Sequence, residues 1–195
     1  DARILASVPV LMCFGYFILV SVGFIAITTF GVASMIALYG ASASLASAAL
    51  TAYLLGAAAG IFAGGFVAAR TSRHDLVAAS GMAISAGMMF VLASVWLPAA
   101  SLPLLFAATG FAGGITGPSR DLIVRATTPP GSTGKVYGFV YSGLDVGSMV
   151  TPVYFGWLLD GGRPAMVFYT VVVSAILTIA TVLNLPANRE AAKAA

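Results

Sequence analysis

A chain of 195 residues that is 60% hydrophobic and 8% charged has too few polar side chains to cover a soluble domain, since such domains carry about 25% charged residues. Nine Lys and Arg outnumber six Asp and Glu, but no basic cluster is interleaved with aromatic residues, which argues against nucleic-acid binding. The single cysteine, Cys13, excludes an internal disulfide. The composition therefore predicts an integral membrane protein with the lipid bilayer as its first partner.

Six apolar stretches follow one another and predict one all-α membrane domain over residues 1–195. A helix needs about 20 apolar residues to cross a bilayer, and the predicted spans cover approximately residues 8–33, 45–69, 76–97, 102–125, 136–159 and 165–185. The first apolar block is longer than one span requires, so part of Thr28–Tyr39 is either a tilted extension or an outer connection. The chain begins with Asp1 and shows no cleavable signal peptide, so we expect a fragment or a trimmed chain.

Basic residues collect in every second gap between these stretches. Because Lys and Arg concentrate in loops that stay cytoplasmic, the pattern predicts a multi-pass protein of the inner (plasma) membrane with both termini in the cytoplasm. Only Arg163 falls in an alternate gap. The residues that carry the pattern are Arg3, Arg70, Arg73, Arg120, Arg125, Lys135, Arg189 and Lys193.

The spacing of small residues and a partial internal sequence repeat indicate how the helices are arranged. Glycines lie four apart in the second, fourth and fifth stretches, a spacing that lets helix backbones approach closely in lipid. Pro118 is expected to kink or break the fourth helix. The segment 65–73 closes the second helix much as 156–163 closes the fifth. These are the middle helices of two three-helix units, which predicts two inverted three-helix repeats.

Asp145 is the only acidic residue well inside a predicted span. It follows Lys135 by ten residues, which places it ~15 Å along the helix and about mid-depth in the bilayer. A charge there costs at least ~2.5–3.5 kcal/mol, so it must face a cavity or a partner, or be protonated. With Tyr141 and Ser148 beside it, Asp145 is a candidate for a proton or substrate pathway. The alternative is a carboxyl group that Ser or Tyr holds for packing, or one in a solvated vestibule.

Several of these segments resemble one transporter family. Gly65, Arg70 and Arg73 are similar to a signature loop that follows the second helix, although Ala69 replaces its acidic residue and Ser72 its second glycine. The stretches Gly117–Arg125, Gly134–Phe139 and Pro152–Asp160 are similar to the fourth and fifth helices. Together they resemble the C-terminal six-helix half of a major facilitator superfamily transporter. The resemblance implies an N-terminal six-helix half outside this chain, with substrate bound between the halves.

Charged residues at the cytoplasmic helix ends are candidates for a gate. The resemblance suggests this role for Gly65, Arg70 and Arg73. Three charged residues follow Pro118: Arg120, Asp121 and Arg125. They either anchor the helix at the membrane interface, with a salt bridge from Asp121 to Arg125, or form an inner gate whose ion pairs break and re-form. The neighbours Arg120 and Asp121 are not expected to pair. In the first helix, Tyr16 is either a substrate contact or a buried hydroxyl bonded to a carbonyl.

The residues for catalysis are missing. No Ser/His pair can be placed at membrane depth, and no phosphate-binding glycine loop appears; His74, the lone histidine, lies in a basic loop. We expect no enzyme, cofactor or metal. The predicted function is secondary active transport, with proton coupling as one form of it, or facilitated movement of a small organic solute by alternating access. The alternative is a self-associating six-helix membrane scaffold or a channel subunit.

Overall fold

Six long helices make up most of the chain. A computed structural model describes residues 2–185, so the predicted tail with Arg189 and Lys193 lies outside the described residues. After a short helix at Ala2–Leu5, the long helices are α1 Val8–Tyr39, α2 Ala43–Arg70, α3 His74–Ala93, α4 Leu102–Ala126, α5 Thr133–Asp160 and α6 Pro164–Leu183.

Local sequence explains several helix ends. Gly40 ends α1 with a φ of 62°, a left-handed conformation that glycine adopts without steric cost. Ser42 then caps α2, its side chain accepting a hydrogen bond from the Leu45 amide at 3.2 Å. Proline lies in the first turn of α6, where its missing amide hydrogen costs nothing.

α1 is longer than one crossing requires. Its 32 residues correspond to ~48 Å at 1.5 Å per residue, against about 30 Å for the hydrocarbon core. The helix continues through a π-helical segment at Ala26–Phe30, so Thr28–Tyr39 is a helical extension. Pro118 likewise lies inside an unbroken α4. α3 ends at Ala93, short of the predicted residue 97.

Five helical segments are long and apolar enough to cross a membrane. They are Val8–Tyr39, Ala43–Arg70, His74–Ala93, Ala99–Ala126 and Pro164–Leu183. The sixth helix, α5, has 28 residues but lower hydropathy, because Asp145 and several Ser, Thr, Tyr and Gly residues interrupt its apolar run.

The helices pack in a regular set of pairs. The most extensive contact joins α2 to α4; α3 packs on α4 and α6, and α1 packs on α5 and α6. The α2–α4 pair runs parallel, since Gly56, Gly60 and Gly64 face the carbonyls of Ala107, Phe111 and Ile115 in order. The α1–α5 pair is also parallel, with Gly143 against Phe14 and Gly147 against Ile18.

Two apolar cores fill the two ends of the bundle. One includes Val10, Ala78, Ile123, Val136 and Val182, which lie near the starts of α1, α3 and α5 and the ends of α4 and α6. We call this the basic end, because Arg73 in the α2–α3 loop and Arg125 in the last turn of α4 lie there. The core at the opposite end includes Met35, Leu92, Leu102, Phe106 and Val167.

Candidate functional site

Asp121 is the centre of a polar network that joins α4 to α5 near the basic end. Its Oδ1 accepts a hydrogen bond from the Tyr141 hydroxyl at 2.8 Å, and its carbonyl accepts one from Tyr137 at 3.1 Å. The two tyrosine rings stack with centroids 5.9 Å apart. Arg120 Nε lies 3.3 Å from the same Oδ1. The network therefore places one carboxylate, one guanidinium and two phenols within reach of each other.

The observed ion pair differs from the predicted one. Asp121 pairs with its neighbour Arg120, whereas no salt bridge joins Asp121 to Arg125 among the described residues; Arg125 is exposed. The prediction was wrong because the Tyr141 hydroxyl draws the Asp121 carboxylate towards α5, and the long Arg120 side chain folds along the helix flank to reach it. The Arg120 guanidinium also lies over the Phe17 ring of α1, 4.9 Å from its centroid.

Asp145 lies on the side of α5 that the described part of the chain leaves uncovered. It is exposed, as are Val146, Met149, Val150 and Val153. The buried face of α5 runs through Gly143 and Gly147; at 3.6 residues per turn, Asp145 points nearly opposite to it. The Ser148 hydroxyl donates to the Asp145 backbone carbonyl at 2.8 Å, and Tyr141 donates to Asp121. The structure thus brings Tyr141 to Asp121 and leaves the Asp145 carboxylate facing outward.

A cavity lies between α1 and α4, which make little direct contact. Its volume is about 240 Å³, and α1, α2, α3, α4 and α6 contribute to its wall. Most lining residues are apolar or glycine, with hydroxyls from Ser85, Thr116, Ser174 and Thr178. Arg120 lines the part of the cavity nearest the basic end.

The family comparison agrees with this arrangement of long apolar helices. A family model described as Major Facilitator Superfamily matches residues 12–195. The chain belongs to the Major Facilitator Superfamily. It is therefore a membrane transporter of the major facilitator type. No curated protein and no solved structure gave a significant match.

In this superfamily member, the signature-like loop after α2 forms a pair of its own. Arg73 contacts Asp75 through two hydrogen bonds of 3.3 Å, from Nε to Oδ1 and from Nη2 to Oδ2. Asp75 is buried in the first turn of α3, so a carboxylate is present although Ala69 replaces the expected one. Arg70 is exposed. At Gly65 an added Cβ would meet no atom of the described residues within 4 Å, so packing among those residues does not require this glycine.

Tyr16 is buried without the predicted carbonyl bond. Only 3% of its surface is exposed, and its hydroxyl has no hydrogen-bond partner among residues 2–185. It lines a small space shared with Cys13, Phe17 and Arg120. A buried hydroxyl without a partner is costly, which marks the α1–α4 contact near the basic end as incompletely satisfied in this conformation.

Sequence reasoning missed three contributors to the site. Tyr137 is one of them, although it lies four residues before Tyr141, a spacing that places both side chains on one helix face. Phe17 gave no signal, because its contact with Arg120 crosses between helices. Gly113 was noted only as part of a packing pattern, yet it lines the cavity.

Proposed function

We propose that the chain is the C-terminal half of a secondary active transporter that moves a small organic solute by alternating access. In this proposal all six helices cross the inner membrane, both termini are cytoplasmic, and the basic end faces the cytoplasm. The family match supports transport as the activity. The gathering of Arg73 and Arg125 at one end supports the orientation.

The helix pairs support two inverted three-helix repeats, α1–α3 and α4–α6. In such a repeat α1 corresponds to α4, α2 to α5 and α3 to α6. The α2–α4 pair then corresponds to the α1–α5 pair and the α3–α4 pair to the α1–α6 pair, while the α3–α6 pair corresponds to itself. All of these pairs are observed. The most extensive helix pairs therefore map onto one another, as is expected when two repeats are related by a two-fold axis in the membrane plane.

The single observation that carries the proposal is the outward-facing carboxylate of Asp145. The residue lies ~18 Å from the start of α5, on a face that none of the described residues covers. Lipid cannot cover it without a cost of at least ~2.5–3.5 kcal/mol. A second six-helix half would cover it and leave a water-filled path between the halves. An acid in such a path can take up and release the proton that couples transport.

The network at Asp121 is proposed as part of the cytoplasmic gate. Arg120 connects α4 to α1 through the Phe17 ring, and Tyr141 connects α4 to α5. Register places Arg70 at the level of Asp121, because Gly64 of α2 lies against Ile115 of α4. Breaking these contacts would let the basic end open, while Gly65, Arg70 and Arg125 are exposed and can meet the other half.

The experiment compares Asp145→Asn with Asp160→Asn in the full protein that contains this chain. Asp160 ends the same helix and is exposed, so it controls for loss of a carboxylate on α5. Liposomes with a pH-sensitive dye inside receive a panel of organic solutes outside. We expect solute-driven proton flux in the wild type and in Asp160→Asn, and none in Asp145→Asn, which should retain solute exchange.

Wild-type proton flux in Asp145→Asn would contradict the coupling role. Expressed alone, the 195-residue chain should insert without transporting, because half of the solute path is absent. Robust transport by the chain alone would contradict the half-transporter proposal and favour a self-contained channel or scaffold.

A further inference from the structure

The cavity between α1 and α4 lies inside this six-helix bundle. Its wall includes Met82 of α3 and Ser174 of α6, helices that pack against each other behind α1 and α4. Its lining residues run from Leu19 to Ile27 along α1 and from Gly110 to Arg120 along α4, so it extends along the helices. The cavity is therefore a pocket within the chain, closed at its back by the α3–α6 contact.

The glycines of α4 fall into two rows with different surroundings. A Cβ on Gly110 or Gly114 would overlap the backbone of α2 at Tyr53 or Ala57, so these glycines are required for helix packing. A Cβ on Gly113 would meet no atom within 4 Å, and one on Gly117 would meet only Ile61, at an ordinary 3.8 Å. Both line the cavity. Packing inside the chain therefore does not account for the second row, which keeps the pocket open.

The volume limits the size of a ligand. An apolar cavity of about 150 Å³ accepts benzene, and sites for drug-sized molecules have about 300–1,000 Å³. A volume of about 240 Å³ lies between them. It suits a molecule with one ring, or a branched chain of similar bulk, and a short polar group.

The charge of the wall limits the chemistry of that polar group. Arg120 is the one charged residue among those that line the cavity within the described part of the chain, and no lining residue is acidic. Its Nε bonds to Asp121, while its two terminal nitrogens have no hydrogen-bond partner among the described residues. A guanidinium with free terminal nitrogens binds a carboxylate in a bidentate manner.

We propose that this pocket binds a small organic monoanion with an apolar body. Its carboxylate would meet the terminal nitrogens of Arg120, and its body would lie along Gly113 and Gly117, opposite Val171 and Ala175 of α6. The claim that such anions are the transported solute rests on the proposed transport function. The claim that the pocket binds them does not.

Equilibrium binding tests the site without requiring transport. The full protein in nanodiscs is titrated with radiolabelled benzoate, and unlabelled benzamide, a neutral molecule of the same shape, is the competitor. We expect saturable benzoate binding and at least tenfold weaker competition by benzamide. Arg120→Gln should weaken benzoate binding about ten- to a hundredfold, because a hydrogen bond to a charged group is lost. Arg163→Gln, which changes an exposed arginine that does not line the cavity, should change it little.

A second variant fills the pocket without touching Arg120. Gly113→Leu places a side chain in the empty space and should abolish benzoate binding while the protein stays monodisperse. Gly87→Leu is the matched control, because Gly87 also has no atom within 4 Å of an added Cβ and does not line the cavity. Both variants are compared with the wild type by gel filtration.

Three results would overturn the proposal: no saturable binding of benzoate, equal competition by benzamide, or full binding in Gly113→Leu. A bound phospholipid that remains after detergent exchange and is released by Gly113→Leu would also overturn it, since the occupant would then be an acyl chain. Benzoate binding without benzoate transport would leave the pocket intact and count against the proposed function instead.

Discussion

The two parallel helix pairs of this bundle are built differently. In the α2–α4 pair, five glycines face backbone carbonyls of the partner helix, and a Cβ on any of them would overlap those atoms. In the α1–α5 pair, only glycines of α5, Gly143 and Gly147, face the partner helix. Side chains make the rest of this contact: Phe14 stacks on Phe139 with centroids 4.7 Å apart, and Ser21 donates to the Leu144 carbonyl at 2.7 Å.

The difference indicates which pair is rigid and which can adjust. Backbones in contact have no rotamers to change, so α2 and α4 must move as one unit. Side chains at the α1–α5 contact can repack, and two side chains of this pair reach the candidate gate on α4: Phe17 contacts Arg120, and Tyr141 donates to Asp121. Equivalent positions of the two proposed repeats thus serve different purposes.

The largest effect is expected from Gly60→Ala. The added methyl group would overlap the Phe111 carbonyl, and the helices must separate, at a cost of about 1–3 kcal/mol. Thermal denaturation, followed as the fraction of protein that stays monodisperse, measures the loss. Gly65→Ala is the control, since its Cβ meets nothing within 4 Å. Equal stability of the two variants would refute the close contact.

Gly147→Ala is expected to lower the stability of the protein by a smaller amount, part of which a second substitution should restore. The new Cβ would lie 2.7 Å from the Ser21 Cβ and 2.8 Å from the Ile18 carbonyl, so part of the clash is with a side chain. Ser21→Gly removes that part, and the double variant should recover some of the stability lost in Gly147→Ala, as a double-mutant cycle would detect. If the two changes are simply additive, the α1–α5 contact is as rigid as the α2–α4 contact.

The smallest effect on stability is expected from Tyr141→Phe. It removes the hydrogen bond to Asp121, whose side chain is 47% exposed, and such bonds in membrane proteins contribute about 0.6 kcal/mol on average. Transport should change more than stability, because the bond is proposed to form and break in the gate. Tyr154→Phe on the same helix is the control. A large loss of stability in Tyr141→Phe would make Asp121 a structural residue.

Much of the fold follows from the sequence, and much of the site does not. Each apolar stretch coincides with a helix, because the 20-residue apolar run and the charged loops are local signals. α5 is the partial exception, since Asp145 and its polar neighbours lower its hydropathy. The family prediction is confirmed by the match over residues 12–195.

The ion pairs and the cavity could not be predicted from the sequence, because they depend on contacts between helices. Arg120 pairs with Asp121 because Phe17 lies against Arg120 and Tyr141 holds Asp121. Both of these aromatic residues come from other helices. Gly113 and Gly114 are indistinguishable in the sequence. Only their orientation in the bundle separates the residue that packs from the residue that leaves space.

The central claim is tested most directly by measuring whether water reaches residue 145 in the full protein. In a Cys13→Ser background, Asp145→Cys is compared with Val173→Cys, which lies at similar depth on the exposed apolar face of α6. A charged, water-soluble thiol reagent reports which position meets water. The half-transporter account predicts rapid labelling at 145 and none at 173. Equal resistance at both positions would place Asp145 against lipid or dry protein and contradict the account.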